Sequence, residues 1–235
     1  MSNHINEILF ALTDAEVEFI VGGGVAAVLH GVERVTLDID LALDMEPANV
    51  EKFLQVMHKL RLQPRVPVPV RDLMSREAVR RMIAEKGAMV FSFVDFARPL
   101  RHVDIFLQDN LSFEELSTGA GKIVIEHRAI KIMGIGKLLE TKRAITPLRE
   151  KDLMTLNNSK NCRAKVKNRK SEIKPSAEFE RALTQCKPED FDGHTEFYRL
   201  THEQRLEWLC QAATFVYEFK GKANPAIRNR PRQRD

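Results

Sequence analysis

Arg34-Val35-Thr36-Leu37-Asp38-Ile39-Asp40-Leu41-Ala42-Leu43 alternates polar and apolar residues before turning wholly apolar. Side chains two apart on a strand share a face, so the spacing predicts a half-buried strand: Arg34, Thr36, Asp38 and Asp40 point one way, Val35, Leu37, Ile39 and Leu41 the other. A solvated sheet face would give the same alternation without any chemistry. Two carboxylates about 4 Å apart, however, repel by roughly 4 kcal/mol at an effective dielectric near 20. A hard, oxygen-seeking divalent cation, magnesium in the first instance, relieves that repulsion.

Working outward, Val17 to Val21 reads as a short strand, and Gly22-Gly23-Gly24 follows it at a strand–helix junction. Backbone N–H groups at such a junction can cradle phosphate, and a side chain there would obstruct the approach. A third candidate carboxylate lies in His102-Val103-Asp104-Ile105-Phe106-Leu107, where Val103, Ile105 and Leu107 face one way and leave Asp104 on the other. Three carboxylates on two neighbouring strands beside a glycine cradle suit metal-assisted phosphoryl transfer.

The rest of the chain alternates helix and strand signals. Ile5, Ile8, Leu9 and Leu12 mark an opening helix, Val25 to His30 a short one, and Pro47 starts another through Val50, Phe53, Leu54, Met57 and Leu60. The Pro64 to Pro69 passage leads to a helical stretch at Asp72 to Glu85. Two strand runs follow, Ala88 to Phe96 and His102 to Leu107, joined by a turn containing Pro99. Ile123 to Ile125 and Ala129 to Ile132 read as a hairpin turning at His127-Arg128, with helices after it at 135–145 and 149–157 and one over Ser176 to Gln185. Thr201-His202-Glu203-Gln204 has the form of a capping box opening a last helix that buries Leu206, Leu209, Ala213 and Val216. The pattern predicts an α/β (α+β) chain with a small mixed sheet flanked by helices. It divides into a main domain over 1–157, a basic linker over 158–175 and a helical C-terminal region over 176–235, frayed from 221 onward.

Gly23-Gly24-Val-Ala26-Ala27-Val-Leu-His30-Gly31-Val-Glu-Arg34-Val-Thr36-Leu-Asp38-Ile-Asp40 resembles the signature of the DNA polymerase β-like nucleotidyltransferase superfamily. It is most similar to the small bacterial members that include toxins of toxin–antitoxin and abortive-infection systems. Ile135-Gly-Lys137-Leu-Leu-Glu-Thr-Lys142-Arg143, followed by Arg149-Glu-Lys151-Asp152, resembles the family's helical segment whose lysine faces the triphosphate. The likeness covers about residues 17–157. It implies a nucleotidyltransferase fold in which Asp38 and Asp40 hold magnesium, with manganese as a substitute, and Asp104 completes the site as ligand or base. It also implies that Gly23 and Gly24 cradle phosphate, that Arg34 and Thr36 lie beside the nucleotide, and that Lys142 touches it. The implied reaction moves a nucleoside monophosphate from a nucleoside triphosphate, ATP among them, to a hydroxyl. RNA or tRNA 3′ ends, protein side chains and aminoglycoside-like molecules are the candidate acceptors, and a cognate antitoxin is an implied partner.

Other motifs compete. Gly22-x-Gly24-x-x-Ala27 fits a loose dinucleotide fingerprint, but the next strand alternates where a doubly wound parallel strand is apolar on both faces. Gly119-Ala-Gly121-Lys122 and Gly134-Ile-Gly136-Lys137 lack both the first glycine and the Ser or Thr of a P-loop. His30 and His102 flank the candidate site, and isolated histidines pack or cap more often than they react. Trp208 reads as a packing anchor. A catalytically silent module that binds nucleotide, RNA or a partner protein is the non-enzymatic alternative.

Size and composition bound these readings. The 235 residues, 43% hydrophobic and 30% charged, suffice for one sizeable core with an appendage. Cys162, Cys186 and Cys210 are odd in number and widely spaced, which fits structural thiols rather than a disulfide framework or a zinc cluster. No apolar run approaches the roughly 20 residues of a membrane span, and the first residues lack the layout of a signal peptide, so a cytoplasmic location is expected. Net charge is +4 but unevenly placed: residues 1–156 carry 20 basic and 22 acidic groups, the remainder 17 and 11. The excess concentrates between Lys160 and Lys174 and from Arg228 to Arg234, runs that can neutralise nucleic-acid phosphates.

Overall fold

The computed structural model of the chain describes residues 4–98, 101–144 and 197–223. Helix α1 (His4–Asp14) buries Ile5, Ile8, Leu9 and Leu12, the stripe expected from their spacing. Strand β1 (Phe19–Val21) leads into the short helix α2 (Gly23–Leu29), which is buried along its whole length. Strand β2 (Ile39–Leu43) and helix α3 (Pro47–Lys59) follow, the latter with proline in its first turn, where the missing N–H costs nothing.

The strand containing the aspartates is shorter than its alternation predicts. Ladder pairing begins at Ile39, and Arg34 to Asp38 run without regular structure toward it. Their burial also inverts the simple expectation. Arg34 and Thr36 are buried whereas Val35 and Leu37 are half-exposed, so the polar side of this segment faces into the protein.

Beyond α3 the chain adds the two-residue strand β3 (Gln63–Pro64), a 3₁₀ turn over Val70–Met74 and helix α4 (Arg76–Lys86). The helical stretch expected over 72–85 is therefore broken at Ser75, whose side chain caps α4 by accepting from the Ala78 N–H at 3.2 Å. Strands β4 (Val90–Val94) and β5 (His102–Phe106) fall where expected. Pro99 lies outside the described residues. A 3₁₀ turn at Asp109–Leu111 and helix α5 (Phe113–Ser117) lead into the hairpin β6 (Gly121–Ile125) and β7 (Arg128–Ile132). The hairpin turns one residue earlier than predicted: Glu126 and His127 both have positive φ, 45° and 67°, the backbone of a two-residue turn with the twist of its strands. Helix α6 (Ile135–Ala144) follows, and the helices expected at 149–157 and 176–185 lie outside the described residues.

The seven strands form one mixed sheet in the order β3-β4-β5-β2-β1-β7-β6. Only β2–β5 and β1–β7 are parallel. Because β1 pairs antiparallel with β2, the β1–α2–β2 unit is not the parallel crossover that a dinucleotide-binding half requires. On one side of the sheet Phe93 meets Phe53 of α3 edge-to-face, with centroids 5.3 Å apart. Burial of each ring contributes about 1.5–3 kcal/mol, and the pairing geometry about 0.5–1.5 kcal/mol more.

Helix α7 (His202–Ala223) closes the described structure against α1, α2 and β6. Its capping box forms as read: the Thr201 N–H donates to Gln204 Oε1 at 2.9 Å, and the Gln204 N–H to Thr201 Oγ1 at 3.2 Å. Leu206, Leu209 and Ala213 are buried, Val216 only half so, and the helix runs through residue 223, into the start of the stretch read as frayed from 221. Arg205 Nη1 donates to the Leu29 carbonyl at the end of α2 (2.5 Å), and Trp208 stacks edge-on against Phe197 at 4.8 Å. Cys210 is buried and forms no disulfide, and the two other cysteines lie outside the described residues, as do the basic run of 160–174 and the last residues from 224.

Candidate metal centre

The parallel pairing of β2 with β5 sets Asp40 directly opposite Asp104, and the antiparallel pairing of β5 with β4 sets Asp104 opposite Ser92. One side of the sheet therefore carries a polar row across three strands, Ser92, Asp104 and Asp40. Asp38, just ahead of β2, adds the third carboxylate. One oxygen from each of Asp38, Asp40 and Asp104 lies within 4.8 Å of the others.

Each carboxylate is held by a different neighbour. Thr36 Oγ1 donates to Asp38 Oδ1 at 2.5 Å, and Ser92 Oγ to Asp104 Oδ1 at the same distance. His102 Nε2 lies 2.8 Å from that same Asp104 oxygen, a charge contact whose angle falls short of hydrogen-bond geometry. Asp40 accepts from the backbone N–H of Gly24. Such partners fix the orientation of acidic groups before any ion arrives.

The electrostatics follow from this crowding. Burial, then the Asp38 and Asp104 charges, push the Asp40 carboxyl up to about 6, while the Lys142 ammonium and the Gly24 N–H pull the other way. His102 is shifted upward, first by its contact with Asp104 and then, against the cost of burial, by the charges of Asp104 and Asp38. Lys142, on α6, is 8% exposed, and its effect on Asp40 puts its charge on the flank of the cluster.

The glycines matter through the space they leave. Gly23 has φ +54°, and a β-carbon there would overlap the Asp40 carboxylate. A β-carbon at Gly24 would sit 2.6 Å from Thr36 Cβ. Helix α2 thus starts against the acidic cluster without displacing Asp40 or Thr36 because glycine stands at both positions.

Comparisons of the chain with protein-family models, curated proteins and solved structures returned no match. The chemistry is legible in the donors themselves. Three carboxylates form an all-oxygen set, of the kind that hard divalent cations such as magnesium and manganese take.

Of the residues singled out in the sequence, Asp38, Asp40, Asp104, Gly23, Gly24, Thr36 and Lys142 come together here. Thr36 does so by holding Asp38, and Arg34 is buried in the segment leading to it. The two flanking histidines part company: His30 Nε2 contacts the Met133 carbonyl at 2.8 Å in the packed interior, while His102 joins the cluster. Ser92 was missed. Its only signal is a lone hydroxyl residue centred in the apolar run Val90-Phe-Ser-Phe-Val, and its meaning depends on a strand register that the sequence does not disclose.

Proposed function

We propose that the chain is a metal-dependent nucleotidyltransferase that moves a nucleoside monophosphate from a nucleoside triphosphate onto an acceptor hydroxyl. The observation that carries this reading is the convergence of Asp38, Asp40 and Asp104 beside two glycines at which a β-carbon would overlap the Asp40 and Thr36 side chains. The resemblance of Gly23 to Asp40 and of Ile135 to Arg143 to nucleotidyltransferase segments supports it from the sequence side.

Asp38, Asp40 and Asp104 would hold magnesium or manganese, which when bound offsets triphosphate charge and acidifies the attacking hydroxyl. The acceptor oxygen forms a bond to the α-phosphorus as the bond from that phosphorus to the β-phosphate bridging oxygen breaks. Pyrophosphate leaves with the electron pair of the broken bond. The hydroxyl proton passes to a base, a role Asp104 takes in place of metal ligation, with Oδ2 the oxygen left for either because Ser92 and His102 engage Oδ1. Lys142 and the backbone at Gly23 and Gly24 orient the triphosphate from the β1 side, and Thr36 keeps Asp38 aimed at the ion. Under the same reading RNA 3′ ends or protein side chains serve as acceptors, and a cognate antitoxin restrains the activity in the cell.

Incubation of the full chain with α-labelled nucleoside triphosphates, magnesium and either RNA or total protein tests the reading. Label transfer that disappears in Asp38→Asn/Asp40→Asn supports it. Nucleotide binding without transfer to any acceptor would replace it with a silent binding module. Growth arrest on expression, absent for the same double variant, would support the toxin assignment.

A further inference from the structure

The two ends of the sheet are built differently. At one end β3 is two residues long and contains Pro64, which has no N–H to offer, so that edge is guarded against further pairing. At the other end β6 (Gly121–Ile125) runs without proline or a break in its register with β7. Among the described residues β7 is its only partner strand. Lys122 and Val124 stand exposed on it, Val124 at 56%. The turn decides what the outer edge presents. Ile125 and Arg128 close the two-residue turn as a hydrogen-bonded pair, and such pairs alternate with non-bonded ones along an antiparallel ladder. Ile125, Ile123 and Gly121 therefore direct their backbone N–H and C=O groups to β7. Those of Lys122 and Val124 point away from it, at the spacing a second antiparallel strand requires.

We infer that a second copy of this chain supplies that strand, β6 pairing with β6 about a two-fold axis at Ile123. In this register Lys122 stands opposite the partner's Val124 and Val124 opposite the partner's Lys122, so every outward N–H and C=O of both residues is bonded. Centring the axis on Lys122 would set two ammonium groups side by side. Centring it on Val124 would need Glu126 to continue the strand, whereas its φ of 45° turns the chain away. The match extends to charge and apolar surface. Lys122 lies diagonally across from the partner's Glu126, within reach of a long side chain. Val124, open in one chain, is covered by the stem of the partner's Lys122. The strand is thus complementary to itself, as the isologous contact of a two-fold dimer must be.

The test uses the full chain over the micromolar range. Sedimentation equilibrium is expected to return twice the 26.9 kDa of one chain. Val124→Pro removes an N–H that faces outward, so the ladder with β7 survives and the pairing of copies does not. Its mass should fall to that of one chain, with far-UV circular dichroism and manganese binding retained. A second measurement reads the register without proline, in a Cys162→Ser/Cys186→Ser background. Lys122→Cys chains mixed with Val124→Cys chains should oxidise to a disulfide-linked pair, because Cα atoms of a hydrogen-bonded pair stand about 5.5 Å apart, within disulfide reach. Neither variant should crosslink alone. A parent chain that stays monomeric throughout the range overturns the inference, as does a mixture that crosslinks no better than its components. A dimer that folded Val124→Pro leaves intact overturns it too, by placing the contact elsewhere on the surface.

Discussion

Gly23 stands so close to Asp40 that the β-carbon of any other residue would occupy the space of the carboxylate. A positive φ of +54° adds a second penalty, since L-residues adopt that conformation at a cost of about 1–2 kcal/mol. Gly23→Ala is therefore expected to lower stability by at least about 1 kcal/mol in urea unfolding and to displace Asp40. Manganese binding followed by calorimetry should weaken about tenfold or more. Native affinity in a well-folded Gly23→Ala protein would show that the contact does not constrain the site.

The raised Asp40 pKa makes a signed prediction for metal-free protein. A carboxyl moved from 3.8 to about 6 in the folded state takes up protons on folding. Its contribution is neutral below about pH 4, turns destabilising as pH rises from about 4 to about 6, and levels off above that at about 3 kcal/mol, at about 1.4 kcal/mol per pH unit. In chelator, Asp40→Asn should raise the melting temperature at pH 7.5 and have little effect at about pH 3. Magnesium should stabilise the parent protein at pH 7.5 more than the variant. Equal melting temperatures of the two proteins at both pH values would contradict the assignment.

Lys142 is the nearby cation that opposes this shift. Lys142→Met keeps most of the buried volume and removes the charge, so the Asp40 titration followed by carboxyl carbon NMR should move to higher pH. Binding of a nucleoside triphosphate should weaken about tenfold in the same variant, the equivalent of about 1.4 kcal/mol. An unmoved titration would place the ammonium elsewhere.

Ser92→Ala removes one of the two groups holding Asp104 Oδ1, leaving His102. Hydrogen bonds to charged groups contribute about 1.5–3 kcal/mol, and loss of an orienting partner lowers metal affinity about 10–100-fold. Ser92→Thr, which keeps the hydroxyl, should recover most of the manganese affinity. Failure of the threonine to do better than the alanine would assign Ser92 to packing alone.

Thr201→Ala breaks the capping box at the start of α7. A loss of about 1 kcal/mol in urea unfolding is expected, with manganese affinity at the distant carboxylates unchanged. A drop in that affinity would mean that α7 transmits strain through α2, on which it packs.

Short-range patterns were legible wherever one residue's neighbours decide its state. The α1 stripe, Pro47 at the head of α3 and the Thr201 cap all report local physics, and all appear as read. The two aspartates were visible for the same reason, being two apart. Less legible was anything set by distant partners. Arg34 to Asp38 alternate like a strand, yet no neighbouring strand pairs with them, and their polar side turns inward to supply Thr36 to Asp38. The hairpin turn was displaced by one residue because Glu126 and His127, neither of them glycine, take positive φ under the register of β6 and β7. Ser92 acquires meaning only from standing opposite Asp104.

The pairing of Asp40 with Asp104 joins segments far apart in the chain by a ladder in which neighbouring strands lie about 4.8 Å apart. A slip of one residue in β5 would turn Asp104 to the opposite face and bring Val103 or Ile105 to its place. The cluster therefore has no partly assembled version: chains with β5 unpaired or shifted hold two acidic groups, and only the completed sheet holds three. Manganese uptake during refolding would accordingly serve as a clock for central-sheet closure, lagging any signal from the locally determined helices α1 and α3.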